Sequence, residues 1–177
     1  MSTLIDTQLM AWGRSGGLVP FSEAQVNPAS VNLRIGSILK VESPGGGMYE
    51  VDISGCSASA PYLVDPGEWI LTHTEEVVAL SERLEAEVCL RSSAARAGWD
   101  HCLAGYIDPG FVGSVTLEFQ NVRRYQALPI YPGLQLCQLR VRGLERAPHR
   151  HYGMTGRYHG DRSVNGCQDP TLGVFDD

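Results

Sequence analysis

Beyond the first dozen residues, the apolar positions of this 177-residue chain come in short runs cut by Gly, Pro, Asn and Asp. The breaks fall at Asn27-Pro28, Pro44 through Gly47, Asp65-Pro66-Gly67, Asp108-Pro109-Gly110 and Pro132-Gly133, and such clusters mark turns. Between them, Trp69-Ile70-Leu71, Val77 to Leu80, Glu87 to Leu90, Val115 to Phe119 and Leu134 to Val141 read as strands. That rhythm predicts an all-β barrel or sandwich of short antiparallel strands. Helices are few. Ile5, Leu9 and Trp12 stand at i, i+4 and i+7, a short amphipathic helix that Gly13 can end. Ser81 to Ala86 and Ser92 to Ala97 are the other helical segments, neither longer than two turns. From about His149 the chain is rich in Gly, Arg and His and has no apolar periodicity. It therefore divides into a β domain over 1–150 and a C-terminal arm over 151–177, suited to a lid and equally to terminal disorder.

Two strands carry extra information. In Val115-Thr116-Leu117-Glu118-Phe119-Gln120, Val115, Leu117 and Phe119 share one face, and Thr116, Glu118 and Gln120 share the other. A glutamate on such a face ordinarily points into water. In 134–141, Leu134 and Leu136 have one parity while Leu139 and Val141 have the other. That slip predicts a bulge near Cys137-Gln138.

Composition narrows the function classes. No stretch approaches ~18 consecutive apolar residues, so no membrane-spanning helix is expected. The start has no basic segment followed by a long apolar run, which argues against secretion. Five scattered cysteines (Cys56, Cys89, Cys102, Cys137, Cys167) without a CxxC fit reduced thiols in a cytoplasmic protein. The net charge of −6 disfavours a nucleic-acid binder. Its distribution is uneven: residues 1–90 balance at −8, residues 91–162 at +5. Thirteen of the fourteen basic residues are arginine. Source composition explains such a bias as well as ligand binding does, but the arginine fork suits phosphate or carboxylate. An anionic ligand is therefore expected in the second half. His73-Thr74-Glu75 matches the first part of a zinc deaminase signature, but the P-C-x-x-C part is absent, so no catalytic zinc is expected.

Arg91-Ser92-Ser93-Ala94-Ala95-Arg96-Ala97-Gly98 places two guanidiniums and two hydroxyls within one and a half helical turns, an anion cradle or simply a solvated helix start. Downstream lie Leu103 to Gly113 (LAGYIDPGFVG), Leu117 to Asn121 (LEFQN) and Pro132 to Leu139 (PGLQLCQL). Upstream lie Asn27 to Gly36 (NPASVNLRIG) and Pro66 to Leu71 (PGEWIL). In this order, from about residue 5 to residue 162, the motifs resemble the dCTP deaminase family of the trimeric dUTPase superfamily.

The resemblance implies a mainly β chain with a distorted antiparallel β-barrel or jelly-roll-like dUTPase fold, a short N-terminal helix and few other helices. It implies a homotrimer with sites at subunit interfaces that converts dCTP and water to dUTP and ammonia. Mg²⁺ would arrive with the triphosphate, which carries roughly four negative charges. Glu118 matches the catalytic glutamate, which moves a proton from water to the leaving amine. Ser92, Arg96 and the backbone of Ala104 would hold the water and the pyrimidine. Asp108 would bind the sugar 3′-hydroxyl, and Phe111 would pack on the deoxyribose and disfavour a 2′-hydroxyl. Arg91, Ser92 and Ser93 would bind phosphate, joined by Gln138, Tyr152 and Arg157. Thr116, Leu117 and Asp161 complete the implied substrate-binding positions.

Several positions depart from the family pattern. Relatives usually have Asp where Asn32 stands, Thr at Leu103, Lys at Arg157 and Gln at Asp161. The loop from Gly98 to Ala104 is one residue shorter than the usual pattern, which bears on reading the base. Asp161 would set a carboxylate near phosphates, a repulsion of about 1 kcal/mol or more unless a cation intervenes. Three other readings share the fold: a bifunctional enzyme that also cleaves dUTP to dUMP and diphosphate, a pure dUTPase, and a nucleotide-binding regulator without turnover.

Overall fold

A computed structural model describes residues 2–102 and 104–172. In chain order the strands are β1 (Ser2–Thr3), β2 (Leu18–Val19), β3 (Val26–Asn27), β4 (Ser30–Leu33), β5 (Ile35–Glu42), β6 (Met48–Asp52) and β7 (Tyr62–Val64). They continue as β8 (Trp69–Ala79), β9 (Leu84–Leu90), β10 (Trp99–Asp100), β11 (Tyr106–Ile107), β12 (Val112–Asn121), β13 (Leu128–Ile130) and β14 (Cys137–Gly143). Helices α1 (Asp6–Trp12), α2 (Ser92–Ala97) and α3 (Tyr152–Thr155) are short. The pairings are antiparallel throughout. One sheet runs β11-β9-β14-β4-β3 with β1 on β14, and the other runs β10-β12-β8-β5-β6 with β2 on β8. β13 and β7 make a separate ribbon. Both large sheets bury their inner faces in one core, where Leu33, Leu139 and Val141 of the first meet Leu39, Ile70, Leu117 and Phe119 of the second. Among the described residues the two sheets do not join into one closed ring of strands.

Three local readings change. The predicted helix over Ser81 to Ala86 is a turn followed by β9. Its residues favour a helix, but pairing with β14 sets Glu87 opposite Arg140 and Glu85 opposite Arg142. Arg142 donates to Glu87 at 2.6 Å. Cross-strand charge pairing and a filled hydrogen-bond ladder outweigh local propensity. The predicted strands at 69–71 and 77–80 are parts of one strand, β8.

The bulge expected near Cys137-Gln138 is absent, because β14 begins at Cys137 and keeps regular register with β9 through Gly143. Leu134 to Leu136 belong to the turn before it, so the parity slip marks the strand's start. A register shift does occur between β12 and β8: Ser114 pairs with Val77 and Thr116 with His73, so the extra residues lie on β8. Val115 packs against the core that holds Leu117 and Phe119, as the alternation predicts, but it is only half-buried. The N–H of Val115 is satisfied by Thr74 Oγ1 at 2.9 Å.

The N-terminal helix forms as expected, with Leu9 in the core. It runs past Gly13 in wider turns to Gly17. Trp12 closes over that end: a Cβ on Gly17 would come within 2.1 Å of its indole.

Candidate active site

β12 and β8 build the floor of a cavity of about 420 Å³. On their outer face Thr116 pairs with His73, Glu118 with Leu71 and Gln120 with Trp69. Glu118 therefore points away from Leu117 and Phe119, as the alternation predicts, but it does not reach open water. Its Oε2 is buried without a hydrogen-bond partner, and burial raises its pKa above the ordinary carboxylate range. A carboxyl in this state holds a proton more readily than a free one, which suits it to proton transfer.

One wall comes from the chain entering β12. Ala104, Tyr106, Ile107 and Asp108 lead into the Asp108-Pro109-Gly110 turn, closed by Phe111 N–H on Asp108 O at 3.2 Å. Gly110 has φ of 82°, and a Cβ there would press on the His151 ring at 2.9 Å; glycine meets both demands. Phe111 is buried, its ring 5.6 Å from that of Tyr152.

The arm supplies the opposite wall. Tyr152 N–H donates to Pro109 O at 2.8 Å, Gly160 N–H to Val112 O at 2.7 Å, and Ser114 N–H to Asp161 O at 2.8 Å. These contacts lay residues 152–161 along the start of β12. Tyr152, Tyr158, Asp161, Asn165, Gly166 and Cys167 line the cavity.

The expected site residues thus fall into groups. Glu118, Ala104, Asp108, Phe111, Thr116, Tyr152 and Asp161 meet at the cavity. Leu117 is fully buried in the core and does not line the cavity. Ser92, Ser93 and Arg96 lie exposed on α2 and do not line the cavity. Arg91 donates to Gln135 O at 2.9 Å. Gln138 accepts from Ser30 Oγ at 2.8 Å, within a polar cluster that includes Asn32, which donates to Gln135 Oε1 and accepts from Asn27. Arg157 is exposed and paired with Asp169 at 2.6 Å. Among the described residues no lysine or arginine lines the cavity. Leu103 lies outside the described residues.

Other lining residues escaped the sequence reading. Trp69 and Leu71 have the parity that faces Glu118, but seeing this requires the β8–β12 register. Val115 borders the cavity while also packing against the core, a double role that alternation does not show. Asn165 to Cys167 belong to an arm without periodicity, and no sequence signal marks them.

Family comparison agrees with the geometry. The model of the family described as dCTP deaminase-like matches residues 7–144. The chain belongs to that family. "dCTP deaminase, dUMP-forming" of Dictyoglomus thermophilum is 37% identical over 128 residues, 66% of either chain. The protein of the same description from Salinispora arenicola is 32% identical over 174 residues, 90% of either chain. Among solved structures, the 2′-deoxycytidine 5′-triphosphate deaminase of Agrobacterium tumefaciens superposes with a TM-score of 0.66 at 24% identity. That match covers 80% of this chain and 48% of the solved one. The likeness is one of fold, an antiparallel β architecture with few short helices.

Proposed function

We propose that this protein deaminates dCTP, with Glu118 as its proton carrier. The observation that carries this reading is the half-buried Glu118, whose Oε2 is buried without a hydrogen-bond partner, on the wall of a cavity large enough for a nucleoside. Glu118 takes a proton from the attacking water as oxygen bonds to C4 of the pyrimidine. It then hands a proton to the exocyclic amine, and the C–N bond breaks to give dUTP and ammonia. Asp108 and Phe111 hold the sugar and exclude a 2′-hydroxyl, while Tyr152 and Asp161 close the site from the arm.

The phosphates need cations that the cavity lacks. Arg91, Ser92, Ser93 and Arg96 stand apart from Glu118 in one chain, which fits a homotrimer in which α2 of a neighbour completes each site. Arg157 would join by leaving Asp169. Mg²⁺ comes with the nucleotide, and between the phosphates and Asp161 it would offset the repulsion. The five unpaired cysteines suit a reducing, cytoplasmic setting.

A second reading is favoured by the relatives described as dUMP-forming: dUTP is hydrolysed further to dUMP and diphosphate in the same pocket. Incubation with dCTP, followed separately for ammonia and diphosphate, tests both. Ammonia with dUTP supports deamination alone; ammonia with diphosphate and dUMP supports both steps. Diphosphate from dUTP without ammonia from dCTP indicates a dUTPase, and tight binding without either product indicates a regulator.

A further inference from the structure

The cavity has two different ends. Asp108 and Phe111 lie just before β12, whereas Glu118 lies well along it; Ser114 to Glu118 alone spans about 13 Å of extended chain. A carboxyl that exchanges protons at C4 must touch the base. The base therefore occupies the Glu118 end, leaving the Phe111–Tyr152 end to the sugar. Bordering the base are Leu71, directly across from Glu118, and Trp69, one diagonal step further. Diagonal neighbours are roughly 7–8 Å apart, within reach of an aromatic side chain.

Trp69 lines the cavity and is held in place. Its indole lies beside the Cys102 thiol, in the loop that also brings Ala104 to the wall. Cys102 has φ of 33°, a conformation that L residues rarely adopt, so the contact sits at a fixed point of that short loop.

We propose that Trp69 is the aromatic wall against which the pyrimidine ring stacks, a specificity-determining residue for the base. This rests on the deaminase reading above. Stacking needs only a π face, so Trp69 favours any pyrimidine of matching size, while Glu118 selects the one with a displaceable amine. Trp69 contributes only when a base is present, since the sugar and phosphate ligands lie elsewhere.

The chain offers its own probe. Its other tryptophans do not line the cavity: the Trp12 indole donates to Ala79 O at 3.3 Å, and Trp99 is buried against Phe119. Equilibrium binding is followed by tryptophan emission in Glu118→Gln, which keeps the site's shape, with and without Trp69→Phe. Turnover is measured in Trp69→Phe and Trp69→Leu with Glu118 intact. The expected results are an emission change on adding dCTP that Trp69→Phe removes, and a KM for dCTP raised roughly tenfold or more in Trp69→Leu. Trp69→Phe raises KM less, and kcat stays within a few-fold in both. Inhibition by tripolyphosphate, which has no base, is unchanged. An emission change that survives Trp69→Phe, or an unaltered KM in either variant, overturns the proposal; if Trp69→Leu does not fold, Trp69→Phe decides. If the wild type releases no ammonia from dCTP, the deaminase reading fails, and emission titrations with other pyrimidine nucleotides still decide the role of Trp69.

Discussion

Glu118 Oε2 receives no hydrogen bond, and burial outweighs the one backbone hydrogen bond that favours its charged form, so a direction for stability follows. Its folded pKa lies above the unfolded value. The folded state therefore holds the proton more tightly, and stability falls as pH rises through the carboxylate range toward the folded pKa. Glu118→Gln removes that penalty. The variant should melt at a higher temperature than the wild type at neutral pH, and the gap should close once pH falls below the ordinary carboxylate range. The same variant should lose about 10²–10⁴ in deamination rate while binding dCTP within a few-fold. Calorimetry across pH and an ammonia assay check the two halves separately; comparable turnover would remove Glu118 from the mechanism.

Elements position the site through a few ties. At the end of β12, Asn121 is fully buried. Its side-chain amide donates to Val64 O at 2.9 Å and Gln126 O at 3.0 Å, and its Oδ1 accepts from Arg123 N–H at 2.9 Å. Asn121→Ala strands three backbone groups and should destabilise the fold by about 3 kcal/mol or more, read by denaturant melting. The arm is tied mainly through backbone at Pro109, Val112 and Ser114, and its charged clasp Arg157–Asp169 is exposed. Such a segment opens locally at small cost. Trypsin should therefore cut after Arg150, Arg157 or Arg162 faster in the empty protein than in the presence of dCTP. Arg157→Ala should weaken dCTP roughly tenfold and leave deoxycytidine binding unchanged. Equal cleavage in both states with a harmless Arg157→Ala would show that the arm is not a lid.

At the scale of the whole molecule, the separation of Glu118 from Arg91, Ser92 and Arg96 demands a second chain if the mechanism holds. Light scattering should give a particle of three 19.3 kDa chains. Glu118→Gln and Arg96→Ala should each be inactive alone. Refolded together in equal amounts, they should regain roughly a quarter of wild-type activity, because some mixed sites combine an intact glutamate from one chain with an intact arginine from another. Sites built within one chain would regain nothing.

Much of this was legible in the chain itself. The turn clusters, the alternation at 115–120 and the helix at 92–97 are local, so residue order alone determined the β class, the outward parity of Glu118 and α2. Motif order determined the family. Tertiary structure decided the rest. Whether 81–86 became helix or strand depended on Arg140 and Arg142, more than fifty residues away. The extra residues of β8 opposite Val115 appear only in its pairing with β12, where the Thr74 hydroxyl takes the Val115 N–H. The outward face of Glu118 was buried only because the arm and the entry to β12 lie over it. Trp69 reached that carboxyl through a register that no periodicity along one strand encodes. Local pattern fixes which face a side chain takes; long-range pairing and burial fix what that face meets, and hence its chemistry.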